Sequence, residues 1–281
     1  MRLTVPEYNQ WPNKAITLLG MSGVGKTTIA RKVSSDHWFH YSGDYRIGTK
    51  YLSEPIIDDI KKQAMQVDCL RRLLRSDSIY IASNITTENL APLSNFVGKI
   101  GREDKGGLSL DEFKKRQRMH LEAEISAMRD IVPFIEKAHD IYQYPHFIND
   151  AGGSVCELDH PPTIALLAQH TLMIYIEADA DREQDMIQSQ LDNPKPLYYH
   201  ATFFDQQLAI YLSENSLDSA SAIEPDDFVR WIFPRLIAAR KPRYEAIVQQ
   251  YGYTVTAKDV GTVRDEQDFH TLITQALGSQ Q

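Results

Sequence analysis

The chain has 281 residues, with 30 Lys and Arg against 38 Asp and Glu, a net charge of −8. At about 150 residues per domain it is too long for a minimal domain and short for two full ones. Hydrophobic residues make up 42% and charged residues 24%, which excludes collagen-like, coiled-coil and wholly disordered chains. The acidic balance also excludes a basic nucleic-acid-binding surface as the global design.

The first thirteen residues are polar with two prolines and lack the apolar core of a signal peptide. No apolar run approaches the roughly 20 residues needed to cross a bilayer. Cys69 and Cys156 lie far apart with no metal-ligand spacing. That argues against a disulfide framework and for a reducing, cytoplasmic setting.

Ala15-Ile-Thr-Leu-Leu19 reads as a short buried strand, apolar with two β-branched residues. It runs into Gly20-Met-Ser22-Gly23-Val24-Gly25-Lys26-Thr27-Thr28, a match to G-x-x-x-x-G-K-[ST]. A helical pattern with Ile29, Ala30 and Val33 on one face follows, and strand, glycine loop and helix is the context a P-loop requires. Gly20, Gly23 and Gly25 let backbone N–H groups turn inward around a phosphate. The helix opening near Lys26 aims its positive dipole end at the same anion. Lys26 is expected at the β- and γ-phosphates and the Thr27 hydroxyl on Mg²⁺.

Trp38-Phe-His-Tyr-Ser42 is the second strand candidate, and Asp44 just beyond it falls at the carboxyl edge of a parallel sheet, near the P-loop. Asp44 could serve Mg²⁺ through water, accept a proton from a substrate hydroxyl, or simply hold a Gly-Asp turn. Pro55 to Arg75 is helical in pattern, with Cys69 expected to pack inside it, and Ile79 to Ile85 is ambiguous between strand and helix. Gly98 to Gly107, polar with four glycines, reads as a mobile loop.

A long helix is expected from about Leu110 to Tyr142, kinked at Pro133, with Ser109 and Glu112 as a capping box. Lys114, Lys115, Arg116 and Arg118 form its solvated cationic face, of which one or two would reach an anionic substrate. His120, Glu122 and Glu124 do not share one face, which argues against a metal site there. Tyr144 to Asn149 is the third strand candidate. Asp150 at its end stands in a Walker B position, where it would hold the Mg²⁺ shell; a helix-capping role is the other reading. Thr171 to Glu177 is a further strand, with a helix from Arg182 to Leu191 after it. Phe228 to Tyr251 is helical with interruptions near Pro234 and Pro242. Thr254 to Ala257 is a final strand, and Glu266 to Leu277 a terminal helix before the polar tail 278–281. The order implies an α/β fold, a P-loop three-layer sandwich with a parallel sheet and helices on both faces.

The motifs after the P-loop resemble those of the small-molecule P-loop kinases, shikimate kinase and gluconate kinase most closely. The P-loop, Gly20 to Thr27, is the first point of likeness. Tyr41-Ser-Gly-Asp44 is similar to the D-x-D element after their second strand, with Asp44 matching its second Asp. Asp150-Ala-Gly152-Gly153, with the apolar strand Leu172 to Ala178 downstream, is similar to their glycine-rich substrate loop. Arg240-Lys-Pro-Arg-Tyr244-Glu245 resembles the R-x-P-x-Y-E segment of shikimate kinases.

The resemblance implies that Arg240 touches substrate and that Ala257 to Val260 lie beside the adenine. Pro194-Lys195-Pro196-Leu197 falls where those kinases carry a lid arginine, so Lys195 would cover the phosphates. Ser42 stands where the family has its first Asp, a carboxylate that Asp150 is expected to supply from the neighbouring strand. Glu112-Phe-Lys114 is loosely similar to the family's substrate-acid clamp. Segments 79–144 and 198–227 are not covered by the resemblance and read as helical insertions within a single domain, residues 1–281.

The function so implied is ATP- and Mg²⁺-dependent phosphoryl transfer to a small hydroxylated molecule. Lys26, Asp44 and Asp150 are the catalytic candidates, and Asp44, Lys114, Gly152, Gly153 and Arg240 the substrate-binding ones. Nucleotide would rest on the P-loop residues Gly20, Ser22 to Thr28, Lys195 and Ala257. The alternative is a P-loop ATPase or switch acting on a protein partner through the insertions. Nucleic acid and membrane are not expected as partners. The guanine-reading N-K-x-D tetrad of GTPases is missing from the sequence, which favours ATP.

Overall fold

A computed structural model describes residues 1–34 and 36–279; of the polar tail, Gln280 and Gln281 lie outside the described residues. Five strands build one sheet: β1 (Ala15–Leu19), β2 (Trp38–Ser42), β3 (His146–Asp150), β4 (Leu172–Glu177) and β5 (Gly252–Thr256). Their order is β2-β3-β1-β4-β5 and every pairing is parallel. All five residues of β1 are buried, as a central strand covered on both faces requires.

Right-handed crossovers decide which face each helix takes. The step from β1 to β2 runs opposite to every later step in the sheet order, so the helix Lys26–Val33 lies on one face. It is joined there by Glu266–Ser279 and Val5–Gln10, which contact one another in turn. The helices between β2 and β3, between β3 and β4, and between β4 and β5 cover the other face. The result is the P-loop α/β three-layer sandwich that the motif order implied.

The register brings the carboxyl ends of the central strands level. Asp150 pairs with Leu18 of β1 and with Ser42 of β2. The P-loop, the turn after β2 and the loop after β3 therefore open at one edge of the sheet.

Several local expectations change. The segment 53–75 is two helices, Ser53–Ala64 and Asp68–Arg75, and Cys69 is exposed rather than packed. Residues 79–85 form neither strand nor helix. The long helix before β3 breaks at Asp130 into Leu110–Arg129 and Ile131–Asp140. Pro133 falls in the first turn of the second helix, where a missing N–H costs nothing. Conversely, Pro225–Tyr251 continues through Pro234 and Pro242. A proline inside a helix costs about 3 kcal/mol. Here the buried stripe Phe228, Ile232, Phe233, Leu236, Ile237, Tyr244 and Val248 keeps helical spacing past both prolines, so packing outweighs that cost.

The loop 98–107 is tethered rather than loose. Gly101 N–H donates to Leu108 O at 3.1 Å and Arg102 N–H to Ile223 O at 2.9 Å, while the Arg102 guanidinium pairs with Asp104 and Glu224. Gly101 has φ +135° and a Cβ there would lie 2.4 Å from Ile223 O, so glycine is required at that crossing.

Helix Leu110–Arg129 is anchored by Phe113, fully buried with ring centroids 5.0 Å from Phe204 and 6.2 Å from Tyr199. Phe113→Ala is expected to lower the unfolding free energy by about 3–5 kcal/mol, measured by urea titration.

Candidate active site

The P-loop holds its glycines at φ +136° (Gly20), +99° (Gly23) and +108° (Gly25), in the region that favours glycine. At Gly20 space matters as well, since a Cβ would come within 2.7 Å of Ile176 O. The Lys26 ammonium is buried inside the loop and donates to Gly20 O at 2.7 Å and Met21 O at 3.0 Å. Burial lowers its pKa, opposed by the charges of Asp150, Asp44 and Glu124. The helix behind it starts at Lys26 with Gly25 as N-cap and no side-chain cap. Its first N–H groups stay open to an anion.

Thr27 donates its hydroxyl to Asp150 Oδ2 at 2.6 Å. A Thr hydroxyl and a carboxylate beside a phosphate-shaped loop suit Mg²⁺, which takes hard oxygen ligands and keeps several waters. Asp150 is the last residue of β3, in register with Ser42. The carboxylate thus stands one strand over from the position Ser42 leaves neutral. His40 Nε2 lies 3.7 Å from Asp150 Oδ2.

Asp44 sits just past β2 on the wall of a cavity of about 1090 Å³. Ser22 of the P-loop, Gly153, Lys195 and Arg240 line the same cavity. Burial, and then the like charge of Asp150, push the Asp44 carboxyl up to about 6, with Lys26 pulling the other way. That value lets it ionise at neutral pH and still accept a proton readily. A second pocket of about 370 Å³ lies against the P-loop helix, walled by Val24, Gly25, Thr28, Arg182, Ala257 and Val260. It has the size and position for a nucleotide base.

The remaining candidates separate. Gly153 faces the cavity, and a Cβ on it would lie 2.8 Å from Ser22 N, which brings the loop after β3 hard against the P-loop. Gly152 is buried and is not on the cavity wall. A Cβ there would run into Glu124 Oε1 and lie 3.2 Å from Asp44 Oδ1, so this glycine makes room for two carboxyl groups. Lys114 is a correction: it points to Asp205, 2.7 Å away, on a half-exposed surface and is not among the cavity's lining residues. Glu112 is taken by Arg116 at 2.8 Å, so that segment forms no clamp. Lys195 lines the cavity with an exposed side chain.

Sequence reading weighs His120 and Glu124 only as metal ligands and passes over Glu157. Gln117, His120 and Glu124 share the buried stripe of Leu110–Arg129 with Phe113 and Ala127, at alternating spacings of four and three, while Glu122 is exposed. Polar residues in an apolar stripe were the available signal. Glu124 accepts the Ser154 hydroxyl at 2.6 Å, and its Oε1 has no partner. Burial pushes its carboxyl up to about 7. Glu157, on the short turn Val155–Glu157, is 1% exposed and binds Arg240.

Because its folded value of about 6 exceeds the ordinary 3.8, ionised Asp44 weakens the fold, and stability is lost as pH rises from about 4 to about 6. Asp44→Asn is expected to stabilise the nucleotide-free protein by about 3 kcal/mol at pH 7.5 and by about 0.5 kcal/mol at pH 4. Thermal melts across that pH range check this.

No protein-family model and no curated protein matches the chain. Among solved structures it is similar to a shikimate kinase from Bacteroides thetaiotaomicron. The identity is 12%, the match covers 93% of this chain and 95% of that chain, and the TM-score is 0.42.

Proposed function

We propose that the protein transfers a phosphoryl group from ATP to a hydroxyl of a small molecule held in the large cavity. One observation carries the reading: Asp44, with a carboxyl near pH 6, lines the same cavity as the P-loop residue Ser22 and lies close enough to Asp150 to feel its charge. On this reading a base, a phosphate cradle and a metal-holding carboxylate act at one place.

Each residue has a physical role. The P-loop amides and the Lys26 ammonium hold the phosphates, and Lys26 gives up the carbonyls of Gly20 and Met21 to do so. Thr27 and Asp150 would hold a Mg²⁺ ion and its waters, which would supply charge neutralisation at the phosphates. Asp44 orients the acceptor hydroxyl and accepts its proton. Lys195 closes over the phosphates from the segment before Tyr198. Ala257 packs beside the base in the smaller pocket. Positioning and fixed charge supply most of the acceleration expected of such a site.

The alternative, an ATPase or switch with a protein partner docked on the insertions 79–144 and 198–227, draws on their exposed apolar side chains Tyr80, Ile141, Tyr142 and Ile210. Among the described residues no helix is long and apolar enough to cross a membrane.

ADP release coupled to acceptor phosphorylation tests the proposal. Lys26→Ala is expected to abolish MgATP binding by calorimetry. Asp44→Asn is expected to keep the ATP affinity within about threefold and to lose 100-fold or more in transfer. Acceptor-independent hydrolysis alone, in wild type, overturns the reading.

A further inference from the structure

The acceptor end of the large cavity is lined by Arg240, Gly153, Ser154, His120 and Tyr198, with Asp44 at the P-loop side. Among the described residues lining it Arg240 is the one buried cation, and four of its five N–H donors are already used. Nε and Nη2 donate to Glu157 Oε2 at 3.0 and 2.6 Å, Nη1 to Gly153 O at 2.9 Å and Nη2 to Tyr198 O at 2.9 Å. Arg240 is 4% and Glu157 1% exposed, so the pair is a closed, neutral unit that water does not loosen.

The rest of the wall offers an anion little. Lys99 is bound to Asp226 at 2.6 Å, and Arg116, behind the wall, holds Asp59 at 2.6 Å. Lys105 and Lys195 are exposed, and a solvated lysine adds little to a carboxylate's affinity. Asp44 and the Glu124 carboxyl behind Gly152 would oppose a second negative charge close to them.

What the wall does offer is hydrogen bonding. His120 is 7% exposed, its Nδ1 is buried without a partner, and its ring stacks on Tyr198 with centroids 5.2 Å apart. Burial, then the charge of Arg240, lower its pKa to about 4, so at neutral pH it is an uncharged imidazole with a ring nitrogen that can accept from a hydroxyl. Nδ1 is sealed inside, 4.0 Å from Glu124 Oε2, so Nε2 is the ring nitrogen that an acceptor molecule's hydroxyl can reach.

We infer that the phosphate acceptor is an uncharged polyol, such as a sugar, cyclitol or nucleoside, and not a hydroxy acid. The inference rests on the phosphoryl-transfer reading above. One hydroxyl loses its proton to Asp44 as its oxygen bonds to the γ-phosphorus. The bond from that phosphorus to the bridging oxygen breaks, and ADP leaves with the electron pair. A second hydroxyl donates to His120.

Matched neutral and acidic compounds test this with the wild-type protein and MgATP: glucose against glucuronate, glucitol against gluconate, glycerol against glycerate, inositol against quinate. Transfer is expected to the neutral member of at least one pair, with kcat/KM tenfold or more above its acid. A preference for the acids overturns the inference while leaving phosphoryl transfer standing. ATP hydrolysis with no transfer to either class overturns both. His120→Phe is expected to raise KM for the neutral acceptor at least tenfold and leave KM for ATP within twofold; an unchanged acceptor KM counts against the inference. Glu157→Gln, where it folds, frees the Arg240 charge and should shift the ratio at least tenfold toward acids; the wild-type comparison decides the matter either way.

Discussion

A single ammonium group inside the protein organises the carboxyl edge of the sheet. Burial works against the charge of Lys26, and three carboxyl groups, on Asp150, Asp44 and Glu124, work for it. They come from the end of β3, the turn after β2 and the middle of helix Leu110–Arg129. None of these is near another in sequence. The parallel register brings them together, because strands that all run one way end at one edge. Burial raises Asp44 to about 6 and Glu124 to about 7, and at Asp44 the lysine charge works against that rise.

A second buried pair fixes the geometry of the other end. Arg240 reaches from helix Pro225–Tyr251 to Glu157 and to the carbonyl of Gly153, while Gly153 lies hard against Ser22. The long helix, the loop after β3 and the P-loop therefore share one chain of contacts. Burying such a pair gains little stability over an apolar replacement, yet breaking it by removing one partner is costly. Its use here is to hold the loop after β3 in one conformation.

Much of this was legible in the sequence, and the limits are physical. β1 and β2 are fixed by short apolar runs ending at glycine signals, and the P-loop by its spacing, so their positions follow from local patterns alone. Asp150 was readable because it ends an apolar run. Glu124, His120 and Glu157 were not, since the meaning of a polar residue in a buried stripe depends on what packs opposite, here Gly152, Ser154 and Arg240. Helix breaks failed for a similar reason. Proline at 234 and 242 argues locally for interruption, and only the long buried face of Pro225–Tyr251 overrides it. Lys114 lies apart from the cavity because a helix-surface lysine takes its partner from a distant helix, in this case Asp205.

The pairing of Ser42 with Asp150 across β2 and β3 has an implication for how such sites vary. In a parallel sheet two residues in register present their side chains to nearly the same volume, so a charge required at that level can come from either strand. Two carboxylates side by side there would repel, and one suffices. The chemical requirement is attached to a place in space, and the position in the chain that meets it is free to migrate sideways. At this level of the sheet β2 presents the neutral Ser42, and the carboxylate stands beside it on β3.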